Sequence, residues 1–129
     1  MPPKLDISKY VSKVAEFMWI DREIRFDIPM SQLAMYTGEQ IVDSMNNVED
    51  TKGNNGDRGS LIITNMRMIW FCDKDRHINL SIGLDCILGN QIKDVQSILK
   101  GGTSQALHLR TKFENNRYEF VFTCVVAAS

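Results

Sequence analysis

Long apolar runs are absent from this 129-residue chain. Nothing in it approaches the roughly 18 consecutive apolar residues that a membrane-spanning helix needs. Residues 1–20 also lack the apolar core and small-residue cleavage site of a secretory signal. Cysteine is scarce: Cys72, Cys86 and Cys124 stand far apart, odd in number and without a C-x-x-C spacing. That usage argues for reduced thiols in an intracellular compartment. A surplus of charge is missing too, since the formal net charge is −1. Bulk electrostatics will not draw such a chain onto nucleic acid or membrane, so any anion binding must come from a local cluster. The expectation is one soluble, intracellular domain. At this length it can bury roughly two-thirds of its unfolded surface without metal or disulfide staples.

Signatures of catalysis are equally sparse. The glycine-rich run Gly53-Asn-Asn-Gly-Asp-Arg-Gly59 contains no G-x-x-x-x-G-K-[ST] and no G-x-G-x-x-G. Its flanks read as strands, whereas a nucleotide cradle leads into a helix N-terminus. An EF-hand register started at Asp50 puts Asn55 where glycine belongs and Leu61 where the bidentate glutamate belongs. Starting at Thr51 restores the glycine as Gly56 but leaves Ile62 at the last ligand position, so calcium is excluded. His77 and His108 have no nearby His or Cys partner, and no G-x-S-x-G surrounds any serine. No catalytic residue, metal or cofactor is expected, and an enzyme is not. Asn79-Leu-Ser81 is a formal glycosylation sequon, but it sits inside a strand pattern.

Period-two alternation fills most of the chain. Before it, Ile7, Tyr10, Val11, Val14, Phe17 and Met18 recur at helical spacing, which predicts an amphipathic helix over residues 6–18 with Asp6 as its cap. A mixed, charged stretch follows from Trp19 to Pro29, then a single helical turn over 31–36. Strands are expected at Glu39–Val48, Ser60–Thr64, Met66–Phe71, His77–Ile82, 86–99 (bent at Gly89-Asn90), Ala106–Lys112 and Arg117–Thr123. Asn46 and Asn47 weaken the end of the first, Glu49–Gly59 reads as a loop, and Thr64-Asn65 marks a tight hairpin. Inward-facing residues include Leu107, Leu109, Tyr118, Phe120 and Phe122. Six or seven short antiparallel strands without crossover helices mean a mainly β sandwich or small barrel.

Basic residues near loops are the candidates for chemistry. Lys52 and Arg58 lie in the glycine/asparagine loop, Arg67 alternates with Met66, Met68 and Trp70, and Lys74 and Arg76 follow in the next turn. Converging at one open end, these five would bind a phosphorylated lipid headgroup through charge-assisted bonds. Each is worth on the order of 1 kcal/mol at an anionic surface, so about four of them give only a millimolar association. Trp19, Ile24 and Phe26, apolar residues in a charged stretch, are the candidates for a protein contact.

Several segments carry a resemblance. Trp19-Ile-Asp-Arg-Glu-Ile-Arg-Phe-Asp27, Val48-Glu-Asp-Thr-Lys-Gly-Asn-Asn-Gly-Asp-Arg-Gly59, Leu61-Ile-Ile-Thr-Asn-Met-Arg-Met-Ile-Trp70 and Arg117-Tyr-Glu-Phe-Val-Phe-Thr123 are similar to the Bardet–Biedl syndrome 5 family. The resemblance spans residues 19–123. It implies a pleckstrin-homology-like (PH-like) fold, the first of two repeats in a subunit of the BBSome, a coat that moves membrane proteins through cilia. It also implies other BBSome subunits as partners, an Arf-like GTPase acting through the assembled coat, an association with phosphoinositides, and residence at cilium, basal body, membrane and cytoplasm. Nucleic acid is not an implied partner. Family members continue past Thr123 into a C-terminal helix that plugs the sandwich and then into the second repeat. The expected layout is therefore a helical extension at 1–18 and a C-terminally truncated PH-like repeat at 19–129. The helix at 6–18 is expected to cover the open end. The leading reading is a coat interaction module with phosphoinositide affinity. The alternative is an autonomous headgroup binder that brings a partner to membranes.

Overall fold

The alternating segments form eight antiparallel strands in the computed structural model, which describes residues 21–50, 57–96 and 103–124. In chain order these are β1 (Ile24–Phe26), β2 (Ile41–Asp50), β3 (Arg58–Thr64), β4 (Arg67–Cys72), β5 (Asn79–Gly83), β6 (Ile87–Gln96), β7 (Thr103–Phe113) and β8 (Asn116–Cys124). A helical turn α1 (Met30–Leu33) precedes β2, and a 3-10 turn (Leu84–Cys86) joins β5 to β6. The expected helix at 6–18, Trp19, Lys52 and residues 125–129 lie outside the described residues.

The mainly β expectation holds, with one more strand than the period-two pattern suggested. β1 is only three residues long, too short to alternate visibly, and it is recruited by pairing Ile24 with Ile82 and Phe26 with Leu80. The strands follow the order β1-β5-β4-β3-β2-β8-β7-β6. β5 lies beside one edge and β6 forms the other, yet only Leu84–Cys86 connects them. So short a link forces the sheet to roll until its edges approach. Phe26 on β1 consequently meets Tyr118 and Phe120 of β8, with ring centroids 6.0 and 6.2 Å apart.

One strand belongs to both halves of the roll. β2 pairs with β3 along its length, but with β8 only at Val48–Asp50. Its register against β3 shifts between Met45 and Val48, where Asn47 takes a φ of 58°. Asparagine tolerates this left-handed conformation, and the bulge bends β2 from one half into the other. The asparagines expected to weaken the strand instead redirect it. The expected bend in β6 also appears, as a register shift between Ile87 and Gly89.

Inside the roll, Leu61, Ile63, Met68 and Trp70 from one half face Leu107, Leu109, Phe120 and Phe122 from the other. Tyr118, Phe120 and Phe122 stack along β8 at 6.2 and 6.3 Å. Trp70 is buried, and its indole N–H donates to the Val48 carbonyl at 2.9 Å, so the largest core residue is also satisfied. Gly59 lies against that indole. A Cβ there would sit 2.2 Å from the Phe71 carbonyl and 2.7 Å from the Trp70 ring. Gly83 plays a similar part at the other end, where a Cβ would lie 2.2 Å from the Asp21 carbonyl.

On the outer face, two buried polar side chains pin the segment that carries α1. Asn79 accepts from the Ile28 N–H and donates to the Ile28 and Arg76 carbonyls, at 2.9, 2.9 and 2.8 Å. Its amide is thus committed to structure, which leaves no role for the sequon. Arg67, fully buried, makes a two-point contact with Glu39: Nε to Oε2 at 2.9 Å and Nη2 to Oε1 at 3.1 Å. Its remaining N–H groups reach the Gln32 and Ala34 carbonyls and the Tyr36 hydroxyl at 2.9, 3.1 and 3.0 Å. The guanidinium also lies 3.9 Å from the centroid of the Tyr36 ring. Thr64 donates to Glu39 at 2.6 Å and accepts the N–H groups of Met66 and Arg67, closing the β3–β4 hairpin.

Burial works against the Glu39 carboxylate, but hydrogen bonds from Arg67, Thr64 and the Tyr36 N–H, with the charge of Arg67, outweigh it and hold its pKa below the ordinary 4.5. A depressed carboxyl contributes stability that is complete above its unfolded pKa and is lost as pH falls through the folded one. Glu39→Gln, which strands the buried guanidinium, is expected to cost about 3 kcal/mol at pH 7. The gap between wild type and variant should narrow as pH drops below 4.5, measured as urea midpoints across pH 7 to 3. A constant gap would remove the linkage. Gly59→Ala is expected to cost about 2 kcal/mol or more through the displaced Phe71 backbone; an unchanged melting temperature would contradict that steric account.

Candidate functional site

Two of the five expected headgroup ligands come together. Arg58 opens β3 and Lys74 lies in the β4–β5 turn, and with Asp57, Cys72 and Asp73 they line one pocket of about 250 Å³. The backbone sets this geometry: the Asp73 N–H donates to the Arg58 carbonyl at 3.1 Å, and Gly59 lets β3 begin close against β4. Both cations are exposed, as are Asp57 and Asp73. Two positive and two negative side chains therefore share the pocket, and its local field is nearly balanced. Lys52 is outside the described residues.

Arg67 and Arg76 do not join them. Arg67 must be withdrawn from the set: Glu39 and the α1 carbonyls use its donors, and no water or headgroup reaches it. Alternation correctly set it opposite Met68 and Trp70, but that face is covered by the segment between Ile28 and Gln40. Arg76 is exposed and lies 4.9 Å over the Phe71 ring, lining a different groove on the outer face.

The three protein-contact candidates also separate. Ile24 is buried in the core, so it is not available to a partner; β1 pairing turns it inward. Phe26 remains 54% exposed while one side of its ring rests on Tyr118 and Phe120. Trp19 lies outside the described residues. Beside β1, Asp21 accepts from Arg25 at 3.1 Å, and Arg25 also pairs with Glu23. The charged stretch is thus internally compensated, which leaves Phe26 as its apolar protrusion.

Two of the three thiols, Cys86 and Cys124, are poor nucleophiles. Burial, aided by the nearby carboxylates of Asp21, Asp85 and Glu23, pushes Cys86 up to about 11, and burial raises Cys124 as well. Among the described residues no three His, Cys, Asp or Glu side chains are grouped to hold a metal ion, and no helix is long and apolar enough to cross a membrane. His77 is exposed beside Asp75 at 3.1 Å, and His108 stands 3.4 Å from Glu119.

Sequence reasoning missed the Arg67–Glu39 pair and the Asn79 clamp. Their one sequence signal is a charged or amide residue inside an otherwise apolar strand, as in Met66-Arg-Met-Ile-Trp70. Such a residue is buried only when a partner meets it, and Glu39 is 28 positions away.

Comparison with known proteins gives a consistent answer. Residues 39–129 match the profile of the Bardet–Biedl syndrome 5 protein N-terminal PH-like domain. The chain is 44% identical over 119 residues to a Danio rerio protein named BBSome complex member BBS5, covering 92% of this chain and 34% of that protein. The Homo sapiens protein of the same name is 41% identical over 116 residues, covering 90% and 34%. Caenorhabditis elegans BBSome complex member bbs-5 is 40% identical over 119 residues, covering 88% and 33%. The chain thus spans about a third of the length of these relatives. Among solved structures, the Vps36 N-terminal PH domain superposes with a TM-score of 0.52 at 22% identity, covering 74% of this chain and 73% of that one. That likeness shows the fold alone. By its sequence match and its rolled eight-stranded sheet, the chain belongs to the Bardet–Biedl syndrome 5 family, through that family's N-terminal PH-like domain.

Proposed function

We propose that this chain is a non-enzymatic interaction module that acts as a building block of a BBSome-type ciliary coat, with the other subunits of that coat as its principal partners. The family match over residues 39–129 carries the reading. The geometry supports it: Phe26 offers an aromatic contact beside a self-compensated charged stretch. In this role the domain works at cilium and basal body. Any approach to an Arf-like GTPase would run through the assembled coat.

Phosphoinositide binding is a secondary property of the same module, located at Arg58 and Lys74, with Lys52 adjoining in sequence. Two exposed cations contribute about 2 kcal/mol at an anionic surface, and Asp57 and Asp73 take part of that back. A lone domain would bind millimolar or weaker, so useful membrane contact comes from several domains held together. The convergence of Arg58 and Lys74 on one pocket is what favours the second reading, an autonomous headgroup sensor.

Co-sedimentation with liposomes carrying single phosphoinositides, beside Arg58→Glu/Lys74→Glu, separates the two readings. The building-block reading expects little binding by the isolated chain and no change in co-purification with coat subunits when these charges are reversed. Tight, headgroup-selective binding that the double variant loses would make the chain an autonomous sensor. Phe26→Ser, at a half-exposed position, is expected to reduce co-purification at least fivefold with a small change in melting temperature. Intact assembly of that variant would move the partner contact elsewhere.

A further inference from the structure

We propose that the outer side of β7 and β8 is a docking site for an acidic peptide segment, one that presents carboxylates at alternate residues of an extended chain. Along β7, Leu109 and Thr111 turn inward and are buried, which leaves Arg110 and Lys112 exposed on the outer side. On β8, Arg117 alternates with the inward Tyr118 and is exposed beside them. The register sets Lys112 directly opposite Arg117. Like charges about 5 Å apart at their Cβ atoms destabilise a strand pair, so the fold keeps this arrangement at a cost. Glu119 is the register partner of Arg110, yet its carboxylate faces His108 at 3.4 Å. Arg110 leans the other way, over β6: a Cβ at Gly89 would lie 2.6 Å from its Nη2 and 3.4 Å from its Cζ. The bare glycine thus gives the guanidinium a seat. Among the described residues, Arg110, Lys112 and Arg117 make no ion pair and no side-chain hydrogen bond. Arg22, Arg25 and Arg67, by contrast, each meet a carboxylate.

Spacing and surroundings select the occupant. Arg110 and Lys112 stand two residues apart on one strand, about 7 Å, and an extended peptide repeats at the same interval on each of its faces. A carboxylate at every second residue therefore meets one cation after another through charge-assisted bonds, with Arg117 as a further partner beside Lys112. A membrane fits less well. The hairpin tip beyond these residues carries Glu114, Asn115 and Asn116, all exposed, in place of the apolar side chains that insert among lipids. This side is also remote from the Arg58–Lys74 pocket. Arg58 pairs with Glu49 and Glu49 with Thr123, which lies six positions and about 20 Å along β8 from Arg117. The two groups of cations therefore do not merge into one anion-binding surface. Nucleic acid would need exposed rings for its bases, and here Phe113 and Tyr118 pack against the core. The proposal rests on the reading of the domain as an interaction module and names the chemistry of one partner.

The test is a titration of the full 15N-labelled chain with a peptide of alternating Asp and Ser, followed by backbone amide shifts, which register even weak binding. The shifts are expected to saturate and to centre on residues 108–119. A peptide with Asn in place of Asp should bind at least tenfold more weakly, and one of equal charge with Asp at every third residue at least threefold more weakly. Arg110→Gln/Lys112→Gln/Arg117→Gln, at three exposed positions, is expected to weaken binding at least tenfold. Its melting temperature should stay the same or rise, because the like-charge pair is relieved. Arg58→Glu/Lys74→Glu should change the affinity less than twofold. Shifts that do not saturate, shifts centred on the Arg58–Lys74 end, or binding that the triple variant retains would overturn the proposal. So would equal affinity for the two acid spacings. Oligothymidine or phosphatidylserine vesicles that displace the peptide at matched charge would make this a general polyanion surface and overturn it too. Co-purification with coat subunits is scored alongside. Loss of the subunits on Phe26→Ser, from a chain that fails to bind the peptide, would end this proposal and leave the coat reading standing.

Discussion

A guanidinium without access to water organises one whole side of this domain. Removing the charges of Arg67 and Glu39 from solvent costs several kcal/mol per ion, and their attraction alone returns that only with full hydrogen bonding. Here the bonding is complete. Glu39 takes two donors from the fork, and the rest go to Tyr36 and to the carbonyls of Gln32 and Ala34. Those carbonyls lie at the end of a one-turn helix, which has no later turn to satisfy them. Arg67 therefore supplies from a neighbouring strand the cap that α1 cannot make for itself. An apolar residue in its place would avoid the desolvation but leave bare backbone acceptors under the segment.

The consequence is a division of labour between the two faces of one sheet. The concave face is occupied by apolar packing around Trp70 and Phe122 and needs no ligand to be complete. Over β3, β4 and β5 the convex face is polar where it is covered and apolar where it is open, an inversion of the usual distribution on an antiparallel sheet. The contacts proposed for this family member all lie at edges and outer surfaces: the Arg58–Lys74 end, the Phe26 ring and the outer side of β7 and β8.

Much of this architecture was legible in the order of residues. Alternation located seven of the eight strands, and the Thr64-Asn65 hairpin and the kink near Gly89 follow from turn chemistry. β1 was hidden because three residues carry no period, and because Ile24 and Phe26 look like exposed apolar residues in a charged stretch until a neighbour pairs with them. Asn47 was read as an ending, since local propensity cannot reveal that β2 has a second partner 76 positions away. Site residues fared by distance. Arg58 and Lys74 flank a hairpin whose strands are adjacent in sequence, so their convergence is a local matter. The burial of Arg67 depended on a segment far upstream, and exposure is a tertiary property that alternation alone does not decide.

The strand that crosses from one half of the roll to the other has a mechanical meaning. Among the described residues, the halves are tied once by β2 through its Asn47 bulge and once by the short Leu84–Cys86 link. A shell held at a single seam would swivel about it. Two ties at different places remove that freedom, and the aromatic contact of Phe26 with β8 blocks the motion that is left. Force applied at either edge is then passed through backbone hydrogen bonds rather than absorbed by bending. In the proposed role, that stiffness would let the domain keep its neighbours in a coat at fixed angles.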